Sequence, residues 1–197
     1  MDKIVEYRGI ENLVYAEVTK DDATGITFGA VKKLAGVAEL SKEVESSKEV
    51  HYYDNKPAVV IDSVGNDNIT INASALDLET LADITGQAFN QAKGLLIEGS
   101  KSQKYFAIGY KTEMTDGSVV YVWRLKGTFA IPNSSHKTKN DGADADGQEL
   151  TYTGINTTYK FNNGGSCRAI NVDGSKTSDV AFFDEVLTPD TFEVSAG

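Results

Sequence analysis

The sequence predicts a mainly β protein with one α-helix. Three observations carry that prediction. Residues 105–129 (YFAIGYKTEMTDGSVVYVWRLKGTF) read as one long β-hairpin. Several other segments alternate polar and apolar residues with a period of two. Only one stretch switches to the helical period.

The hairpin folds at Asp116-Gly117, a dipeptide suited to a tight type I′ turn because both central residues need positive φ. Thr115 then stands opposite Ser118. Met114 meets Val119, Thr112 meets Tyr121, Tyr110 meets Trp123 and Ile108 meets Leu125. On this register Ile108, Tyr110, Tyr121, Trp123 and Leu125 share one face and form the hairpin's core. Glu113–Val120, Lys111–Val122, Gly109–Arg124 and Ala107–Lys126 share the other. A slip by one residue would mix the two faces, so burial of one face is expected to pin the register.

The remaining elements follow in chain order. Residues 12–19 alternate Leu13, Tyr15, Glu17 against Val14, Ala16, Val18 and predict a first strand. Residues 21–25 read as a turn, with 26–28 continuing the sheet. Residues 36–45 place Glu39, Ser41, Glu43 and Glu45 on one face and Ala38, Leu40 and Val44 on the other, with Lys42 as the exception. Residues 46–65 hold a tyrosine pair, Pro57 and a short apolar run but no clean period, and read as a long excursion with some β character; such lengths are often functional. Residues 67–75 alternate cleanly. Leu78, Leu81, Ala82 and Thr85 then take i, i+3, i+4, i+7 spacing, with Asp77 as N-cap and Gly86 as the stop. Residues 87–93 read as an irregular extension of that helix and 94–98 as another strand. Further on, 149–161 alternate, 166–172 read as a strand containing Cys167, 178–187 as a short helix or turn, and the tail from 188 as loosely held. The chain of 197 residues reads as a single domain with no internal repeat.

The formal net charge is −10. A nucleic-acid-binding surface needs clustered Lys and Arg, so this balance argues against one. Cys167 is the one cysteine, so no intrachain disulfide forms, and neither histidine is tied to it by the sequence. No apolar run is long enough for a membrane span and no signal peptide is evident, which leads to the expectation of a protein made and kept in a cytoplasm.

Catalytic chemistry finds no purchase. Gly164-Gly165 lacks the Lys-Ser/Thr of a phosphate loop and opens no helix. No His-Glu-x-x-His or cysteine pair marks a zinc site. Asp141, Asp144, Asp146 and Glu149 superficially suggest calcium, but the position two residues before Asp144 is Gly142, and the spacing of a calcium loop fails. The chain reads as a non-enzyme without catalytic, cofactor-binding or metal-binding residues. If 36–45 and 67–75 pair antiparallel, one side becomes a polar carpet of Glu39, Ser41, Glu43, Asn68, Thr70 and Asn72. An ordinary half-exposed sheet shows the same pattern.

Taken together, these features resemble the major tail tube protein of long-tailed, non-contractile (siphovirus-type) phages, in the family found in phages of Gram-positive bacteria. The matching pieces run in order along most of the chain. They are Gly9-Ile10-Glu11-Asn12-Leu13-Val14-Tyr15-Ala16, Thr24-Gly25-Ile26-Thr27-Phe28-Gly29, Leu34-Ala35-Gly36 and Tyr53-Asp54-Asn55-Lys56-Pro57-Ala58. The helix opening Asp77-Leu78-Glu79, then Asp83-Ile84-Thr85-Gly86, and finally Tyr121-Val122-Trp123 with Lys126-Gly127, complete the set. The loop at 137–148 and the tail after 188 are less typical.

The resemblance implies a β-sandwich or half-barrel with one flanking α-helix, and a structural virion protein, assembled in the host cytoplasm and resident in the phage tail. Its copies would form hexameric rings that stack into a tube through which genome DNA is ejected without specific binding. A tape measure protein and tail terminator and initiator proteins would be its partners. On this reading Glu39, Ser41, Glu43, Asn68, Thr70 and Asn72 line the lumen, and the 46–65 excursion, with Tyr52, Tyr53, Asp54, Lys56 and Pro57, contacts a neighbouring ring or subunit. The alternative is a non-assembling β-sandwich binding module, adhesin-like or carbohydrate-binding, in which Tyr52 and Tyr53 stack on a sugar. A related tube in a phage-derived bacterial particle is a third possibility.

Overall fold

The alternation in the sequence is realised as strands in the computed structural model, which describes residues 4–134 and 147–194, and of 62–64 the backbone alone. In chain order these are β1 (Tyr7–Asp22), β2 (Gly25–Phe28), β3 (Lys32–Lys33), β4 (Val37–Tyr53) and β5 (Lys56–Ala73). After α1 (Leu78–Thr85) come β6 (Ala88–Asn90), β7 (Leu95–Ile97), β8 (Phe106–Met114), β9 (Val119–Phe129), β10 (Gln148–Gly154), β11 (Ala169–Asp173) and α2 (Asp179–Phe183). The main sheet has nine strands and runs β2-β1-β8-β9-β10-β5-β4, with β3 beside β1. One edge of β9 is shared: β10 pairs with its last residues and β11 with Val120 to Arg124. All these pairings are antiparallel, so the molecule is mainly β, as expected.

The main sheet is covered on both faces, and this decides its centre. On one face Leu13, Tyr15, Ile69, Ile71, Phe106, Ile108, Tyr110 and Tyr152 form a core with Ile84 of α1. On the other, Tyr121, Trp123 and Leu125 meet Phe161, Val172, Phe182, Val186 and Leu187 from the C-terminal third. α1 matches the sequence reading closely. Asp77 accepts from the Thr80 N–H at 2.8 Å, and Gly86 ends the helix at φ 70°.

The β8–β9 register departs from the expectation by one residue. Glu113 pairs with Val119, Lys111 with Tyr121, Gly109 with Trp123 and Ile108 with Arg124. The turn has three residues, 115–117. Met114 N–H donates to Ser118 O at 2.8 Å, and Gly117 alone is left-handed, at φ 82°. The expected hairpin core is therefore divided: Ile108 and Tyr110 belong to the first core, Tyr121, Trp123 and Leu125 to the second. The physical reason is that both faces of this pair are buried, so burial does not discriminate between registers. Size does. A Cβ at residue 109 would lie 2.8 Å from the Trp123 ring and 2.9 Å from Val14, so only glycine fits opposite the indole.

Five further expectations are refined or corrected. Residues 46–65, expected as a long excursion with some β character, are strand on both sides of a tight turn: β4 and β5 run on as a two-stranded arm, closed by Asp54 and Asn55, both at positive φ (50° and 63°). This is where the chain places its two-residue left-handed turn. Residues 87–93 do not extend α1 but form β6 and the turn into β7, a small separate ribbon. The alternation after residue 154 is not strand, and Cys167 precedes β11 rather than lying within it. The tail is tied down through Phe192: Thr188 is buried, it accepts from the Phe192 N–H, and Asp190 accepts from the N–H groups of Asn162 and Asn163 at 3.1 Å. The acidic stretch at 141–146, and with it most of the 137–148 loop, lies outside the described residues.

Two polar anchors fix the outer layer. Asp179 of α2 accepts from Lys111 Nζ and Asn12 Nδ2, both at 2.9 Å, and from the Tyr121 hydroxyl. Burial first, and then that bond to Asp179, pushes the Tyr121 hydroxyl up to about 12. Asp21, at the end of β1, accepts from Lys126 Nζ at 2.5 Å and from the N–H groups of Thr158 and Tyr159 at 2.7 and 2.8 Å. Desolvation raises the Asp21 carboxyl, but the Lys126 bond and the two backbone donors outweigh it, and it sits below its ordinary value.

Gly109→Ala is expected to cost about 1–3 kcal/mol through overpacking against Trp123. Gly9→Ala, where a Cβ meets nothing within 4 Å, stays within about 0.5 kcal/mol. Urea unfolding of the two variants checks the register directly. Because the Asp21 carboxyl is lowered in the fold, its contribution is present above its unfolded value of about 3.9 and is lost as pH falls through the folded value. Asp21→Asn is therefore less stable than the parent at about pH 6, and that difference narrows as pH falls below the ordinary carboxylate range and through the folded value, as measured by chemical unfolding at each pH.

Candidate functional site

The sheet's β10-β5-β4 end holds the residues that the sequence singled out. Direct cross-strand pairing sets Glu39 opposite Asn72, Ser41 opposite Thr70 and Glu43 opposite Asn68. All six share one face, as expected from their alternation. The intervening Ile69 and Ile71 are fully buried in the first core. On β5 and β10 one face is thus committed to the interior, on β4 the corresponding face (Ala38, Leu40, Lys42, Val44) is exposed or half-buried, and the opposite face of all three presents only polar side chains here.

The carpet is wider than the sequence reading made it. β10 continues it through Glu149 opposite Asn72, Thr151 opposite Thr70 and Thr153 opposite Asn68. Its signal was present in the alternation of Leu150 and Tyr152 against Thr151 and Thr153, but which strand pairs with which is a long-range fact. Glu45 joins from β4. Asn68 Nδ2 donates to Glu45 Oε1 at 3.0 Å, and Asn72 Nδ2 to Glu39 Oε2 at 3.1 Å. The asparagines therefore hold glutamates upright across the strand pair. The face carries Glu39, Glu43, Glu45 and Glu149, and neither lysine nor arginine interrupts it across these three strands.

The expected contact residues sit elsewhere. Tyr52, Tyr53, Asp54, Lys56 and Pro57 form the tip of the arm, with both tyrosines about two-thirds exposed at 65% and 64%. Behind the tip, Val50, Val59, Val60 and Ile61 are also exposed. Residues 46–53 at about 3.3 Å per residue carry this apolar ribbon roughly 26 Å along its length. An isolated two-stranded ribbon is marginal in water, and exposed apolar area of this kind marks a contact surface. β4 ends the sheet order, so among the described residues no strand pairs with its outer edge of backbone donors and acceptors.

The side of the sheet opposite the carpet opens into a groove of about 680 Å³, bordered by Ile10, Leu40, Lys42, Tyr110, Val120 and Arg124. Cys167 is half-buried, and burial raises its thiol, so it is held as a protonated side chain. Among the described residues, no cluster of three or more His, Cys, Asp or Glu side chains could hold a metal ion, and no helix is long and apolar enough to cross a membrane. Compared with models of protein families the chain matches none, and a comparison with curated proteins returns no match.

The division of faces is open to test by a pair of truncations. Ile71→Ala, inside, is expected to cost about 2–5 kcal/mol, whereas its neighbour Thr70→Ala, on the carpet, stays within about 0.5 kcal/mol. Denaturant midpoints at constant m-value report both.

Proposed function

We propose that this chain is a self-assembling structural subunit whose copies close into rings and stack into a hollow tube, the tail tube of a long-tailed non-contractile phage, with the polar carpet facing the lumen. The observation that carries the proposal is a broad sheet face where residues 36–45, 67–73 and 148–154 present four glutamates and neither lysine nor arginine, backed by a core and bounded by a strand edge that no other described strand pairs. Ring closure pairs that edge with another copy and removes an aggregation hazard. A lumen of glutamates, asparagines and threonines repels phosphate, so DNA passes without being held; tight binding would require lysines and arginines that release counterions. The arm, apolar along its length and tipped by Tyr52 and Tyr53, reaches the neighbouring subunit or ring. A tape measure protein inside the tube and terminator and initiator proteins at its ends are the partners that this reading supplies.

The competing reading, a sugar-binding module built on Tyr52 and Tyr53, is disfavoured by their placement. They are consecutive residues of one strand, and consecutive side chains point to opposite faces, so they offer no common stacking platform.

Negative-stain electron microscopy across a concentration series is expected to show rings or hollow tubes. Val60→Asp, which charges the arm without touching the body, is expected to shift the onset of assembly to at least tenfold higher concentration, about 1.4 kcal/mol. In a Cys167→Ala chain, Glu43→Cys should react with a bulky maleimide as a free subunit and be protected once assembled. Single particles at every concentration, or equal reactivity of Glu43→Cys in assembled tubes, would count against the proposal.

A further inference from the structure

The arm leaves the body at a joint, and the joint is held from both faces. β5 loses its β10 neighbour after Asp67, which pairs with Gly154; beyond that point it pairs with β4 alone. A bulge sits at the same place. Val44 pairs with Asp67 and Ser46 with Val64, so Gly65 and Asn66 together face the single residue Glu45. Bulges bend strands and re-aim what lies beyond them. A bent ribbon with one neighbour would swing about such a point unless something held it.

On the core side, Asp67 is 2% exposed and meets two guanidinium groups. Arg124 Nη1, from β9, donates to Asp67 Oδ2 at 2.6 Å, and Arg168 Nη1, from the segment before β11, lies 3.0 Å from Oδ1. The same Arg168 Nη1 donates to the carbonyl of Gly65, inside the bulge. One carboxylate and one bulge carbonyl are thereby tied to β9 and to the segment before β11. On the carpet side, Asn68 donates to Glu45, and a Cβ at residue 65 would lie 3.1 Å from that of Glu45, so the bulge closes tightly against its partner. Buried carboxylates survive only when paired, and losing one partner leaves an uncompensated charge.

We propose that Asp67, Arg124 and Arg168 form a latch that fixes the direction in which the β4–β5 arm leaves the body, so that the arm is a rigid lever in the free subunit rather than a swinging ribbon. The proposal goes beyond the tube reading and does not require it, because it concerns a single chain before any assembly. A lever aimed in advance reaches its partner without the entropy cost of ordering a tether.

The test is a distance distribution. Spin labels at Tyr53→Cys on the arm tip and Lys160→Cys on the body, in a Cys167→Ala chain diluted into unlabelled protein, report the arm's direction by double electron–electron resonance. The intact latch is expected to give one narrow distance. Arg168→Ala, whose side chain is partly exposed at the rim of the latch, is expected to widen the distribution roughly twofold while circular dichroism and the thermal midpoint stay within about 2 °C. Arg168→Lys should restore part of the narrowness by returning the charge. Asp67→Asn is expected to widen it as well, and if that variant fails to fold, Arg168→Ala decides alone. A distribution as narrow in Arg168→Ala as in the parent, or one already broad in the parent, overturns the latch whether or not tubes form.

Discussion

The Trp123 indole is the point on which the architecture depends. It sits fully buried, facing Gly109 across the strand pair, stacked near the Phe182 ring, with its Nε1 donating to the Phe182 carbonyl at 3.0 Å. That one side chain does two jobs. It selects the β8–β9 register, because only glycine leaves room for it, and it docks α2 and the C-terminal third over the second face of the sheet. With both faces of the centre packed around the indole, a broad exposed polar sheet face remains toward β10, β5 and β4. The location of the polar carpet is in this sense a consequence of where the indole is buried.

The features legible in the sequence were those with local chemical causes. α1 could be bounded to the residue because Asp77 and Gly86 act within one turn of the helix that they cap. The pairing of Glu39 with Asn72 and Glu43 with Asn68 was legible because one face of those strands is apolar and the other is not. The hairpin register was not. Asp116-Gly117 is compatible with a two- or a three-residue turn, and with both faces buried the hydrophobic pattern cannot arbitrate. The arm was obscured for the opposite reason. Its residues face solvent on both sides in the single chain, so no alternation was imposed on Lys48, Glu49, Val50 and His51, and the strongest local signal, Asp54-Asn55, passed unrecognised as a turn. Partners distant in sequence, such as Glu149 beside Asn72 or Arg168 beside Asp67, leave no mark that a single sequence can show.

The distribution of charge follows the same division. Five of the body's cations serve internal anchors: Lys126 on Asp21, Lys111 on Asp179, Lys104 on Asp83, Arg124 and Arg168 on Asp67. Each holds one element against another, and none is released to the carpet. Two of its four glutamates, Glu39 and Glu45, are instead held by neutral asparagines, which orient a carboxylate without cancelling its charge. A face meant only to stay soluble would gain from mixed signs, since cross-strand opposite charges are stabilising. A uniformly anionic face gives up that gain, and the loss is intelligible if the face must repel something anionic.

The arm sharpens this argument. A ribbon with Val50, Val59, Val60 and Ile61 in water is a liability in a free subunit, and the unpaired β4 edge is a second one. Proteins usually blunt such features with short edges, proline or inward charge, and here the only proline of the arm, Pro57, sits at its tip. Both features lie on the same two strands that carry the carpet, so a partner that covered the edge would extend the anionic face into the next copy in one continuous sheet. Covering the liabilities and building a repulsive surface are then a single event, which ties the fold of β4 and β5 to assembly more closely than either feature would alone.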